Sequence, residues 1–368
     1  MSKVRLGDIC EVVTGSTPKT GNESYWDGDI DWITPAELSD DTYLVTESVR
    51  KITSEGALKT GLKSFPEGTV ILSSRAPIGK VAIAGKKLYC NQGFKNLICS
   101  ERIENTYLFW FLKGNTEYLN NLGRGATFKE LSKAIVEGIE INLPPKDVQK
   151  RNADTLKQCW NVIRLRKHQL EMFDDLVKSR FVEMFGDPVE NPKSWDKRQL
   201  QELVIEDCTI SYGIVQTGND QGEEGIPVFR PIDIVNRIPV LEELKRTTKE
   251  ISNKYKRTIL KGRELLITVR ANIADTCIVG KEFKGCNVGR GIVPIRTKEE
   301  IIILEFLKYQ LDNKHMNDII KAKAKGITLI QLNMEDLREV SLIIPSIDSQ
   351  KAFIEFVTQV DKSKFKYC

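Results

Sequence analysis

The sequence predicts an α+β fold in which two copies of a mixed sheet-and-helix domain are separated by one long helix. Three observations carry that prediction. The second half restates the first, at a separation that begins near 194 residues and ends at 201. Each copy alternates short β-rich runs with glycine-containing loops before turning helical. Between the copies, about 40 residues keep an unbroken helical period.

The β-rich part of the repeat is clear along the chain. Gly68-Thr69-Val70-Ile71-Leu72-Ser73-Ser74-Arg75-Ala76, then Gly85-Lys86 and Asn91-Gln92-Gly93, matches Gly262-Arg263-Glu264-Leu265-Leu266-Ile267-Thr268-Val269-Arg270-Ala271, then Gly280-Lys281 and Asn287-Val288-Gly289. Both read as strand, loop, strand, loop. Leu108, Phe111, Leu112, Leu119 and Leu122 then adopt helical spacing, as do Ile303, Phe306, Leu307 and Leu311. Each helical stretch is followed by a basic residue, glycine and threonine: Arg124-Gly125-Ala126-Thr127-Phe128-Lys129-Glu130 and Lys325-Gly326-Ile327-Thr328-Leu329-Ile330-Gln331. The glycine suits the left-handed position after a helix end. Thr127-x-x-Glu130 and Thr328-x-x-Gln331 have the form of capping boxes, in which side chain and backbone satisfy each other's orphan groups.

Each copy closes on a short strand and a stop, Ile141-Asn142-Leu143-Pro144-Pro145-Lys146-Asp147-Val148-Gln149-Lys150 against Leu342-Ile343-Ile344-Pro345-Ser346-Ile347-Asp348-Ser349-Gln350-Lys351. Proline cannot continue a ladder, and Asp147 and Asp348 are good N-caps for helices starting just after them. In the first helix Leu156, Ile163, Leu170, Val177 and Met184 recur every seven positions beside Trp160, Phe173 and Phe181. That spacing is a coiled-coil seam. Gly186-Asp187-Pro188 ends it, and the segment Asn191-Pro192-Lys193-Ser194-Trp195 leads into the second copy. The second helix places Phe353, Phe356, Val357 and Val360 on one face and spans about half the length of the first. The expected layout is therefore a domain over 1–145, a helical spacer over 146–186, a domain over 187–346 and a short helical region over 347–368.

Composition narrows the function classes. With 40% apolar residues, 14 Phe and 5 Trp, the chain has enough surface to bury for globular folding. No run approaches the ~18 apolar residues of a membrane span, and Met1 to Asp8 lack the apolar core of a secretory signal, so a cytoplasmic protein without a membrane partner is expected. Eight scattered cysteines form no C-x-x-C pair and read as reduced thiols; Cys277, Cys286 and His315 could converge on zinc, but small buried hydrophobes are the favoured reading, so no metal is expected. There is no G-x-x-x-x-G-K-[ST], no G-x-G-x-x-G after a strand and no Asn/Asp-Pro-Pro-aromatic signature. The two histidines, His168 in the long helix and His315 among lysines, do not make a catalytic set. No enzyme activity is expected from this chain.

A formal charge of +4 decides little, so placement must. Lys314, Lys321, Lys323 and Lys325 cluster near one helix end, and Arg75, Arg124, Arg270 and Arg290 lie beside glycines. In loops, such residues suit nucleic acid, because Arg and Lys bind guanine or phosphate and Asn and Gln bind adenine. Candidate DNA contacts are Lys19, Arg75, Asn91, Gln92, Arg124, Thr127 and Lys129 in the first copy, and Arg230, Arg270, Asn287, Arg290, Lys325 and Thr328 in the second. For Tyr25, Trp26 and Trp32, packing in the core is expected instead.

Several segments resemble the specificity subunits of type I restriction-modification systems. They are Thr14-Gly15-Ser16-Thr17-Pro18-Lys19 with Tyr25-Trp26-Asp27-Gly28-Asp29-Ile30-Asp31-Trp32-Ile33; Ser74-Arg75-Ala76-Pro77-Ile78-Gly79-Lys80 with Asn91-Gln92-Gly93-Phe94; Pro144-Pro145 with Gln149-Lys150-Arg151; Met184 to Pro188; Tyr212-Gly213-Ile214-Val215-Gln216; and Ile226-Pro227-Val228-Phe229-Arg230. Their order and spacing carry the resemblance across essentially the whole chain. It implies two target recognition domains alternating with two helical regions that pack antiparallel, the seam being Leu156, Ile163, Leu170, Phe173, Val177, Phe181 and Met184 against Phe353, Val357 and Val360. It also implies a job: a non-catalytic subunit reading a bipartite site on double-stranded DNA, one half per domain. Two methyltransferase subunits would clamp the helices, with restriction subunits joining them. S-adenosylmethionine, ATP and Mg2+ would then sit on those partners, and no cofactor on this chain. The short final helix departs from the family pattern and leaves open a variant serving a methyltransferase alone or assembling from half-subunits. A tandem protein-binding scaffold without DNA is the reading from a different class.

Overall fold

The computed structural model describes residues 2–75, 77–125, 129–234, 239–326 and 330–365. The chain divides into two compact units, residues 1–168 and 169–368. Each is an assembly of small sheets and helices, as the α+β prediction requires.

In the first unit, β1 (Ser2–Arg5) pairs antiparallel with β10 (Glu140–Leu143), tying the start of the domain to its end. Between them the chain forms β2 (Cys10–Thr14), β3 (Trp26–Ile33), β4 (Leu44–Val45), β5 (Lys51–Ile52), α1 (Ser54–Thr60), β6 (Val70–Leu72), β7 (Val81–Ala84), β8 (Tyr89–Cys90) and β9 (Lys95–Cys99). Helices α2 (Asn105–Gly114), α3 (Thr116–Leu122) and α4 (Lys133–Glu137) follow. One sheet has the order β2-β9-β6-β7-β4 and another β5-β3-β8. Val70, Ile71 and Leu72 are all buried because helix α2 and a second apolar cluster cover the two faces of β6.

Helix α5 (Lys146–Phe185) runs for 40 residues; its first part belongs to the first unit and residues 169–185 to the second. Trp160 packs with Trp110 and Tyr43 of the first unit, at centroid distances of 6.2 and 5.9 Å. Gly186, at φ 77°, takes the left-handed turn that stops the helix.

The second unit repeats the plan. Strand β11 (Lys197–Gln199) and the single-turn α6 (Leu200–Leu203) lead to β12 (Ile226–Phe229), β13 (Lys245–Thr247), α7 (Lys249–Lys254), β14 (Glu264–Thr268), β15 (Thr276–Val279), β16 (Asn287–Val288) and β17 (Ile292–Ile295). Then come α8 (Leu304–Asp312), α9 (Lys314–Ala322), α10 (Met334–Arg338), β18 (Ser341–Ile343) and α11 (Ile347–Phe365). Strand β11 pairs antiparallel with β18 as β1 does with β10, and β14 sits between β15 and β17 as β6 does between β7 and β9.

The structure corrects the alignment of the repeats near Asn91. Ser16 N–H donates to the Cys90 carbonyl and Ile214 N–H to that of Val288; Asn91 N–H donates to Ile33 and Gly289 N–H to Phe229. Ser74 N–H donates to Gly93 and Val269 N–H to Gly291. Asn91, Gln92 and Gly93 thus correspond to Gly289, Arg290 and Gly291, two residues later than Asn287-Val288-Gly289. Shared Asn and Gly letters had hidden a shift that only the ladder reveals.

Helices α5 and α11 are antiparallel within the second unit. Phe353 packs on Phe181 and Phe185 at 5.5 and 5.7 Å, whereas Lys364, further along α11, reaches back to Asp174 at 2.7 Å. Val177, Phe181, Phe353, Val357 and Val360 are buried in one core, with Phe173 and Met184 packed against it. The N-terminal part of the expected seam is different: Leu170 is half-buried, and Leu156 and Ile163 are 46% and 56% exposed. A 19-residue helix rises only about 28 Å, so α11 covers the end of α5 and not its start.

Helix caps also depart from expectation. Asp147 and Asp348 lie inside the first turns of α5 and α11, one residue past the point where each helix begins. Among the described residues no helix is long and apolar enough to cross a membrane, and no group of three or more His, Cys, Asp or Glu side chains has a metal-binding arrangement.

Candidate nucleic-acid interface

Where β6 ends, the chain meets residues from the far end of the domain. Arg75 bridges Glu130, which also bridges Arg124. Arg124 N–H donates to the Glu130 carbonyl at 3.1 Å and Glu130 N–H returns the bond at 2.9 Å. Gly125, next to this bridge, at φ 137° adopts a backbone conformation that favours glycine. The Glu130 carboxylate lies 3.5 Å from the Arg75 guanidinium and 3.2 Å from the Lys95 ammonium. Lys95 is only 6% exposed, so Glu130 and Ser74 Oγ, at 3.2 Å, compensate a nearly buried charge. A cavity of about 700 Å³ opens beside them, lined by Lys95, Arg124, Glu130 and Lys133.

The second unit has the same layout with different chemistry. Arg270 and Lys325 both bridge Gln331, the Lys325–Gln331 bonds are both 2.9 Å, and Gly326 sits at φ 121°. Gln331 Oε1 accepts from Arg270 and its amide donates to the Tyr212 hydroxyl. The Arg290 guanidinium stands 6.0 Å from the Tyr212 ring centroid. Lys95 has no counterpart here: Ser73 pairs with Phe94 as Thr268 pairs with Ile292, which puts the fully buried Val293 in its place. A Lys–Glu pair in one domain is thus replaced by Val and Gln in the other.

Several sequence candidates converge on these clusters: Arg75 and Arg124 in one, Arg270, Arg290 and Lys325 in the other. Gln92 and Lys129 are exposed, and Gln92 Oε1 accepts from the Thr17 hydroxyl. Asn91 folds back to accept from Gly93 N–H at 2.8 Å. Lys19 is exposed, and its carbonyl accepts from the Trp26 indole at 3.3 Å.

Others are corrected. Asn287 is fully buried, its amide bonded to Ser252, Thr258 and the Tyr255 carbonyl, so it is a structural residue and does not reach a groove. Arg230, by contrast, remains exposed while Asp233 holds it through Nε at 3.0 Å and Nη2 at 2.8 Å, a pairing that raises the pKa of the guanidinium. Thr127 and Thr328 lie outside the described residues. Of the expected capping boxes, the described residues Glu130 and Gln331 sit in β-bridges, and the next helices begin only at Lys133 and Met334. Gly125 and Gly326 are not helix-end residues, since the preceding helices end at Leu122 and Ala322.

Trp26 and Trp32 are core as expected, 8% and 2% exposed and packed edge to face at 5.1 Å. Lys95 is not among the sequence candidates, although its place between Phe94 and Leu97-Ile98 is a signal. Tyr212 stands in the sequence only within the segment Tyr212 to Gln216.

The sequence profile of the type I restriction modification DNA specificity domain matches residues 1–172 and again 192–366. The chain belongs to that family. A specificity domain therefore occurs twice in this protein, in agreement with the repeated clusters. The chain is 35% identical over 218 residues to the MjaIX specificity subunit of Methanocaldococcus jannaschii, covering 54% of this chain and 50% of that one. It is 22% identical over 326 residues to the EcoBI specificity subunit of Escherichia coli, covering 80% and 68%. It thus spans only about half the length of the first of these relatives. Among solved structures, a type I S subunit from M. genitalium superposes with a TM-score of 0.57 at 14% identity, over 100% of this chain and 90% of that one. A chain from a study of type I complex assembly and conformational transition gives 0.56 at 20% identity, over 99% and 90%. These likenesses extend the specificity-subunit fold across both copies.

Proposed function

We propose that this specificity-domain protein is the DNA-reading subunit of a type I restriction-modification complex, each domain gripping one half of a bipartite site on duplex DNA. The observation that carries the reading is the repetition of one cationic constellation: Arg75 with Arg124, and Arg270 with Lys325, at matching bridges in each unit. A duplex offers closely spaced phosphates, and two modules with the same positive footing suit two grooves. The chain itself is non-catalytic. Methyltransferase subunits, probing DNA only where this protein places them, dock on the faces of α5 that α11 does not cover, where Val162, Leu165 and Met172 are 66%, 62% and 59% exposed. Restriction subunits complete the complex, and S-adenosylmethionine, ATP and Mg2+ are carried by these partners. The protein works in the cytoplasm.

Binding of the chain, copurified with its methyltransferase, to random duplexes across a salt series tests this. Affinity falling steeply and linearly on a log–log plot supports the reading, and salt-independent or absent binding removes it. Single-molecule mapping of methylated adenines then shows whether the marked site is split in two.

A further inference from the structure

Resting on the DNA-recognition reading, we infer that the two domains divide labour by position: Arg75 with Arg124, and Arg270 with Lys325, hold phosphates, whereas Gln92 and its counterpart Arg290 read bases, adenine in the first domain and guanine in the second.

The argument begins from the corrected alignment. Matching hydrogen bonds from Asn91 and Gly289, and to Gly93 and Gly291, leave Gln92 and Arg290 as equivalents. A Cβ placed on Gly93 would meet Pro35 Cγ at 2.9 Å and one on Gly291 would meet Pro231 Cγ at 2.6 Å, so both loops press on the same proline of the fold. The loop also lies against the first cation, since a Cβ on Gly291 would be 3.5 Å from Arg270 Cβ. Each domain therefore presents two cations and one exposed side chain, Gln92 or Arg290, from neighbouring backbone.

Within that shared frame, the positions differ in a telling way. Arg75 and Arg270 are the same residue, and Arg124 becomes Lys325, a change that keeps positive charge but loses the two-pronged geometry that base recognition uses. Phosphate requires only the charge. Gln92 and Arg290, by contrast, differ in the way that changes which base is bound: glutamine pairs two-fold with adenine N6 and N7, arginine with guanine O6 and N7. Two domains that grip the same backbone and read different half-sites need this pattern of constant charge and exchanged reader. The surroundings of the reader change with it. Gln92 is steadied by the Thr17 hydroxyl, whereas Arg290 stands over the Tyr212 ring, whose hydroxyl is fixed by Gln331.

Selection from a pool of random-sequence duplexes, read by sequencing, tests the assignment for the protein with its methyltransferase partner. Gln92 and Arg290 are exposed, so variants at these positions keep the fold. Arg290→Gln is expected to change one preferred base from guanine to adenine in one half-site and to leave the other half-site as it was; Gln92→Arg makes the opposite change in the other half. Arg270→Ala and Lys325→Ala are expected to weaken binding to all duplexes alike, each lowering the salt slope by about 1 without altering the selected sequence. The assignment is overturned if Arg290→Gln and Gln92→Arg leave the selected bases unchanged, or if Arg270→Ala or Lys325→Ala alters them. Should the unaltered protein select and bind no duplex, the DNA-recognition reading itself fails, an outcome distinct from unaltered selection by the variants.

Discussion

Gln149 and Gln350, 201 residues apart, make the same set of hydrogen bonds from the same place in the fold. Gln149 accepts from Glu104 N–H at 2.8 Å and donates to the carbonyls of Pro144 and Arg102 at 2.8 and 3.1 Å. Gln350 accepts from Ile303 N–H at 2.9 Å and donates to Pro345 and Ile301 at 2.9 and 3.0 Å. Each is almost completely buried, and each ties the first turn of a helix to the proline before it and to the segment that precedes α2 or α8.

Truncating either glutamine strands buried backbone groups without partners. Gln149→Ala and Gln350→Ala are expected to destabilise the protein by about 2–3 kcal/mol each, read by urea unfolding. A loss below about 0.5 kcal/mol in both would mean that water or a shift of the helix replaces the amide.

Removing an aromatic ring from the α5–α11 contact is more costly. Phe181 touches Phe185, Phe306 and Phe353 at 5.2–5.7 Å, so Phe181→Ala is expected to lower stability by about 3–5 kcal/mol. Ile163→Ala, on the exposed part of the same helix, is expected to cost less than about 0.5 kcal/mol in the isolated chain. Equal losses at the two sites would contradict the partial cover by α11.

Asn287→Ala separates structure from readout. With Thr258, Ser252 and Tyr255 all bonded to the buried amide, the variant is expected to lose about 2 kcal/mol of stability while the selected DNA sequence stays the same. A changed sequence preference at full stability would restore this residue to the interface.

Acid acts on the first domain through Asp31. Burial raises the pKa of its carboxyl, but hydrogen bonds from Lys86 and Ser48 outweigh that and hold it below the ordinary 3.8. Because the folded value is depressed, the contribution to stability is complete above about pH 4 and disappears as pH falls through the folded pKa. Asp31→Asn is expected to flatten this acid limb and to destabilise the domain near pH 7, measured by thermal unfolding from pH 2 to 7. An unchanged acid limb would assign the sensitivity elsewhere.

Much of this architecture was legible because it is periodic. The helical spacing of α5, the proline that stops β10 and the glycine that ends α5 each express a local rule. The interface was only half legible. Arg75 and Arg270 stood out through the repeat, but the partner that distinguishes them, Glu130 or Gln331, looked like part of a helix cap. Its true setting, a bridge to residues more than fifty positions away, depends on tertiary pairing that no local pattern records. Asn287 misled for the same reason: an asparagine beside a glycine resembles a loop reader until its buried ladder is known. Leu156 and Ile163 share the heptad phase of Val177, and only the reach of α11 separates them.

Helix α5 packs the half-buried Trp160 on Trp110 and Tyr43 and buries Phe181 and Phe185 in another core, while residues 161–169 between them are mostly solvated. Genes that trade one half of this protein for a homologous half therefore have a natural splice point inside a continuous helix. A crossover there transfers each module with its own aromatic contacts, whereas one placed at the strand ends near Pro144 would graft a domain without the tryptophan that packs on Trp110 and Tyr43. New pairings of the two modules can then arise by recombination without redesigning either interior.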